Sequence, residues 1–247
     1  AIGTRKGTMS TPTEPSRNAP DVLAVEQTIK THFPGLWPAV DVGLSVCATL
    51  LLEDNVNPVA VIYVGDAATG KTTVADMFAD HPLTYVSDNF TPASFVSHAA
   101  NVSRKDLEAV DMLPRIQHKV LITPEMAPVF RGKEDELAAR FAILTRVLDG
   151  YGLQTDSGTH GQRGYRGDYL FAWLGCTTPF EGKVWRVMAQ LGSRLFFLVM
   201  DSQEEVTIED LVDSDNEVPY KERLTHCKNA VRQFLTRLFQ QKGVRGV

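Results

Sequence analysis

Apolar positions along this chain keep two different rhythms, and the rhythms alternate. Residues 58–64 (Pro-Val-Ala-Val-Ile-Tyr-Val) form a short, nearly all-apolar run, as a strand buried on both faces of a parallel sheet does. Residues 83–86, 118–123, 169–174 and 195–200 repeat that texture and predict four more strands. Between them the spacing turns helical. Helices are predicted near 22–32 and over 38–53, the latter with Val40, Leu44, Cys47 and Leu51 on one face. Another is expected from Pro92 through 99, with Thr91 as its cap. Leu137, Phe141, Leu144 and Leu148 mark a helix over 134–148 that Gly150 ends. A last helix over 220–241 places Leu224, Val231, Leu235 and Leu238 inward and Lys228, Arg232 and Arg237 outward; plain packing is the favoured reading of it. Strands alternating with helices predict an α/β layered fold.

Composition divides the chain. Residues 1–20 are polar and Pro-rich, a disordered tail; 21–55 are a helical lead-in; 56–200 carry the strand–helix alternation; 201–247 hold an acidic connector and the final helix. A hydrophobic share of 43% is enough for a sizeable core, and the net charge of −5 neither advertises nor excludes a nucleic-acid partner. Cys47, Cys176 and Cys227 lie far apart without metal-ligand spacing, which predicts a reducing, intracellular (cytoplasmic) setting. No apolar run is read as a membrane span, and the chain is expected to be part of a longer protein.

The chemistry concentrates after the first strand. Gly65-Asp66-Ala67-Ala68-Thr69-Gly70-Lys71-Thr72, followed by Thr73, sits between a buried strand and a helix in the spacing of a phosphate-binding loop. Glycines let the backbone curl so that successive N–H groups face a phosphate, and the helix N-terminus adds its positive end. Lys71 is expected on the outer phosphates and the Thr72 hydroxyl on Mg²⁺, which makes a nucleoside triphosphate the expected ligand. Downstream strands end in candidate groups. Glu125 follows the strand at 118–123, placed to orient an attacking water and support the metal, or else to cap a helix; Asp88 is a further metal candidate. Thr177 and Thr178 end the next strand, as phosphate-facing hydroxyls or as an ordinary turn. Arg194 precedes the last strand, where it can project toward a neighbour's nucleotide.

In that order these motifs resemble the AAA+ ATPases, closest to the MCM-like and mobile-element replicative helicase clade. Gly65-Asp66 through Lys71-Thr72, Pro124-Glu125, Thr178-Pro179 and Ser193-Arg194-Leu195 stand where that clade carries its loop, acid, sensor and finger. Two departures stand out: Pro124 replaces the metal-supporting aspartate and Thr178 the sensor asparagine. The resemblance implies an AAA+-like P-loop NTPase fold, a three-layer sandwich around a mainly parallel sheet with a β-hairpin before the sensor strand. It further implies a ring-forming ATPase motor acting on single-stranded or duplex DNA with ATP and Mg²⁺. Residues 153–168, two strand-like arms about a Gly-rich tip, supply the hairpin, and His160, Arg163, Tyr165 and Arg166 its DNA contacts. Contacts between subunits are the other use open to that hairpin. A nucleotide-dependent oligomeric switch with weak hydrolysis is the alternative for the whole.

Overall fold

The computed structural model describes residues 21–55, 57–88, 90–97, 104–157, 161–189, 194–201 and 218–241. The expected tail at 1–20, His160 and most of the acidic connector lie outside them. Five strands form one parallel sheet: β1 (Val59–Val64), β2 (Thr84–Val86), β3 (Val120–Thr123), β6 (Ala172–Thr177) and β7 (Leu195–Val199). Their order across the sheet is β2-β3-β6-β1-β7, and β4 (Gln154–Ser157) pairs antiparallel with β5 (Gly161–Gly164) as a separate hairpin.

Helices cover both faces, because the strands alternate their side chains between two apolar layers. Val61 and Tyr63 of β1, with Ile122 of β3 and Leu174 of β6, point into one layer. That layer is roofed by α1 (Val22–His32), α2 (Trp37–Ala48), α3 (Lys71–Phe78) and α8 (Tyr220–Gln241). Ile62 and Val64, Leu121 and Trp173 face the other, against α5 (Met112–Ile116), α6 (Glu134–Val147) and α7 (Gly182–Met188). A short α4 (Arg104–Val110) precedes α5. The three-layer α/β arrangement and the hairpin ahead of β6 are therefore as expected.

Several boundaries differ, each for a physical reason. The helix expected over 38–53 is α2 bracketed by single 3-10 turns, Pro34–Leu36 and Thr49–Leu51. By length and composition Pro34–Leu51 is apolar enough to span a membrane, with mean hydropathy 1.3, which the reading of the sequence overlooked. Here it is a core layer, with Val40, Leu44, Val46 and Cys47 buried beneath the sheet. Of the helix expected from Pro92, the described residues, through Ser97, form a 3-10 turn, Pro92–Ser94, and 98–99 lie outside them. The strand expected at 169–174 begins later, at Ala172, because Tyr169 N–H donates to Gly150 O and Leu170 O accepts from His118 N–H before the ladder starts. Lys228 of α8 is not simply outward: it pairs with Asp76 at 2.9 Å and Asp80 at 3.4 Å, fixing α8 to α3.

Candidate functional site

The loop between β1 and α3 curls as a phosphate cradle must. Gly70, at φ +84°, takes the left-handed turn that aims the chain into α3, and Ala68 also sits at positive φ (+67°). For an alanine that conformation costs about 1 kcal/mol or more, strain of the kind that collects at ligand-binding loops. Gly70 has no side chain to cap α3, so the first-turn amides of Lys71, Thr72 and Thr73 face outward with the helix's positive end. Lys71 is only 8% exposed. Its Nζ donates to Asp66 O and, at 3.0 Å, to Thr69 Oγ1, while the Thr69 hydroxyl itself donates to Asp66 O at 3.0 Å. The ammonium is thus ordered across the mouth of the loop. Asp66, Ala67, Ala68 and Thr72 lie exposed on the rim, and Gly65 is buried at the end of β1, its N–H donating to Thr177 O at 3.3 Å.

Strand order decides what stands opposite. In register, Ile62 of β1 pairs with Gly175 of β6, and Gly175 with Thr123 of β3. β3 and β1 are therefore two strand spacings apart, about 10 Å, with the end of β6 between them. Glu125, just beyond β3, and the phosphate loop, just beyond β1, face the same end of the sheet across that gap. Thr178, the first residue past β6, is exposed between them; Thr177 is buried and donates its hydroxyl to Thr178 O. Asp88 is exposed beyond β2, at the sheet edge.

Glu125 is held by the turn on its C-terminal side. Its Oε1 accepts from Ala127 N–H at 2.8 Å, so it does cap the 3-10 turn Ala127–Phe130, and its other oxygen stays available. Met126 N–H donates to Cys176 O at 2.7 Å, and the Met126 side chain lies across Gly175, where a Cβ would come within 2.1 Å of its sulfur. Any larger residue there would have to push the Met126 and Ile62 side chains aside, a packing demand the sequence reading passed over. Two further partners escaped that reading. Cys176 donates Sγ–H to Lys71 O at 3.3 Å, its thiol pushed up to about 12 chiefly by burial. Tyr220, at the start of α8, meets Thr73 Oγ1 with its hydroxyl at 2.9 Å and Phe33 with its ring edge.

Other sequence candidates are placed away from the loop. Arg194 pairs within its own chain: Asp149 Oδ1 accepts from its Nε at 3.0 Å and from Nη2 at 2.7 Å, while Asp149 Oδ2 takes Arg146 at 3.0 Å. Its neighbour Ser193 lies outside the described residues. Along the hairpin Arg163 is half-buried and Arg166 exposed. Tyr165 stands at the hairpin base, where its hydroxyl donates to buried Asp111 at 2.8 Å and its ring packs on Tyr169. Burial and the Asp111 carboxylate raise that phenol above its ordinary range. Its hydroxyl therefore serves as a tether.

No family model matches the sequence, and no curated protein matches it significantly. Solved structures that it resembles include the apo A form of the NrS-1 C-terminal region, at 15% identity and TM-score 0.41, over 90% of this chain and 48% of that one. The S. cerevisiae Hsp104–ADP complex is similar at 13% identity and TM-score 0.41, over 89% and 46%. The chain spans about half the length of either. At these identities and TM-scores the likeness assigns no activity, so the chemistry rests on the loop and the residues facing it.

Proposed function

We propose that this chain is an AAA+-type module that binds ATP with Mg²⁺, hydrolyses it, and acts on DNA as part of a homo-oligomeric ring, in the manner of a replicative helicase. One observation carries the nucleotide part: a buried parallel strand, a left-handed turn at Gly70 and a helix N-terminus converge on one loop, with the Lys71 ammonium ordered across its mouth. Lys71 and the first-turn amides bind the outer phosphates. Thr72 Oγ1 and the second Glu125 oxygen are hard oxygen donors, the kind Mg²⁺ takes while keeping water and phosphate for the rest of its shell. When bound, the metal neutralises charge on the outer phosphates. Glu125 orients the water, Thr178 faces the outermost phosphate from the end of β6, and Arg194 completes the site of a neighbouring subunit.

Support for the DNA and ring assignments comes from the hairpin ahead of β6 and from the order of motifs. A switch that binds nucleotide but turns over slowly is the second reading, favoured by Pro124 and by the pairing of Arg194 with Asp149 in its own chain. ATP turnover with and without single-stranded DNA separates the two. For the motor, DNA stimulates turnover. Arg163→Ala with Arg166→Ala then weakens DNA binding on every sequence and lowers its log–log salt slope by about one unit per lost phosphate contact. DNA-independent turnover together with unchanged DNA affinity in that variant refutes the motor reading.

A further inference from the structure

We propose that Arg140 is a positioning residue for Glu125, a role that rests on Glu125 being the water-orienting acid. Arg140 projects from α6, half-buried, over the turn that follows β3. Its Nη1 donates to three carbonyls of that turn, Pro128 O at 3.1 Å, Val129 O at 2.6 Å and Arg131 O at 2.8 Å. These lie toward the C-terminal end of the 3-10 turn Ala127–Phe130, where Pro128 O accepts from Arg131 N–H and the carbonyls beyond it have no turn to continue into. Glu125 holds the opposite end, through Oε1 and Ala127 N–H. The carboxylate therefore points wherever Ala127 N–H points, and the guanidinium fixes the body that carries this amide.

The same turn is a wall of a cleft. A cavity of about 280 Å³ lies between Ala127, Phe130 and Arg131 on one side and Thr177, Thr178 and Phe180 on the other. Thr178 is the first residue past β6, beside the phosphate loop, so the width of this cleft sets the separation of the acid turn from the residue expected on the outermost phosphate. Arg140 controls that width without touching the nucleotide. A guanidinium suits the task because it is always charged and its planar, rigid group keeps Nη1 in one orientation over the clustered carbonyls. Lysine carries three donors on a compact ammonium, but its stem is more flexible and it lacks the planar fork that fixes orientation. Nothing in the local sequence marks Arg140, since it occupies an ordinary outward position of an amphipathic helix.

The test compares Arg140→Ala, Arg140→Lys, Glu125→Gln and the double variant Arg140→Ala/Glu125→Gln, reading kcat, KM, affinity for a fluorescent ATP analogue and melting temperature. Arg140→Ala should lower kcat about 10- to 100-fold, the usual cost of a misplaced catalytic group, with nucleotide affinity changed by less than about twofold. Arg140→Lys should recover part of the loss. In the double variant the rate should match that of Glu125→Gln alone, because one substitution has already removed what the other positions. Losses that multiply overturn the proposal, as does a wild-type rate for Arg140→Ala when Glu125→Gln is slow. Should Arg140→Ala fail to fold, Arg140→Lys alone and combined with Glu125→Gln decides by the same comparison. A wild-type rate for Glu125→Gln overturns the assignment of the acid and this proposal with it.

Discussion

Replacing Lys71 by alanine tests the nucleotide site at its centre. Lys71 is 8% exposed and its ammonium is already ordered by Asp66 O and Thr69 Oγ1, so the protein has met most of the cost of placing it before any ligand arrives. A hydrogen bond from an ionised donor contributes about 1.5–3 kcal/mol. Losing one such bond to a phosphate therefore raises Kd about 10- to 150-fold, and more if two phosphate oxygens share the ammonium. The fold should tolerate the change. Thr69 Oγ1 donates to Asp66 O at 3.0 Å in its own right, so that carbonyl keeps a partner once the ammonium is gone. Stability should accordingly move by no more than about 1 kcal/mol. Titration of Mg-ATP by calorimetry, beside a thermal melt of the same sample, measures both quantities. Lys71→Met, which keeps most of the stem and removes the charge, should behave as Lys71→Ala does. A Kd within about twofold of wild type in a variant that melts normally would refute the phosphate assignment of Lys71.

Arg194→Ala should leave ATP binding to the isolated chain intact while turnover falls, by about 10³-fold if Arg194 acts as an arginine finger. Mixing it with Lys71→Ala subunits should rebuild some sites at interfaces that pair an intact loop with an intact arginine; joint oligomers that stay inactive would rule out action in trans. His81 supplies a test by pH. Its Nδ1 accepts from Leu83 N–H at 3.2 Å and its Nε2 meets Thr236 Oγ1 at 3.3 Å, an arrangement that needs the neutral ring. Burial first, and Arg232 second, lower its pKa from the ordinary 6.5. The unfolded chain then binds the proton more readily, so stability present above pH 6.5 is lost as pH falls through the lowered value. Melting temperatures from pH 7.5 to 5 should fall less steeply in His81→Gln, and equal slopes would contradict the buried-neutral assignment.

What the sequence determined by itself is what depends on neighbours a few residues apart. The strand at 58–64, the loop at 65–72 and the helix after it are written in apolar runs and in glycine and lysine spacing, and β1, the Gly70 turn and α3 appear where those signals lie. The helix expected over 134–148 appears as Glu134–Val147, and the last one as Tyr220–Gln241, because several turns of periodic burial leave a long record. Short helices leave none. Arg104–Val110, Met112–Ile116 and Gly182–Met188 each run two turns or fewer, too short to leave a periodic record. The functional arrangement was decided later still. That β6 lies between β3 and β1 is a matter of sheet order, and only this order sets Thr178 between Glu125 and the phosphate loop. Met126 across Gly175, Asp149 on Arg194, Asp111 on Tyr165 and Arg140 on the acid turn are contacts between residues nine or more positions apart. No local pattern encodes such pairs, because the free energy that selects them is released only when the layers close and each buried polar group must find its partner.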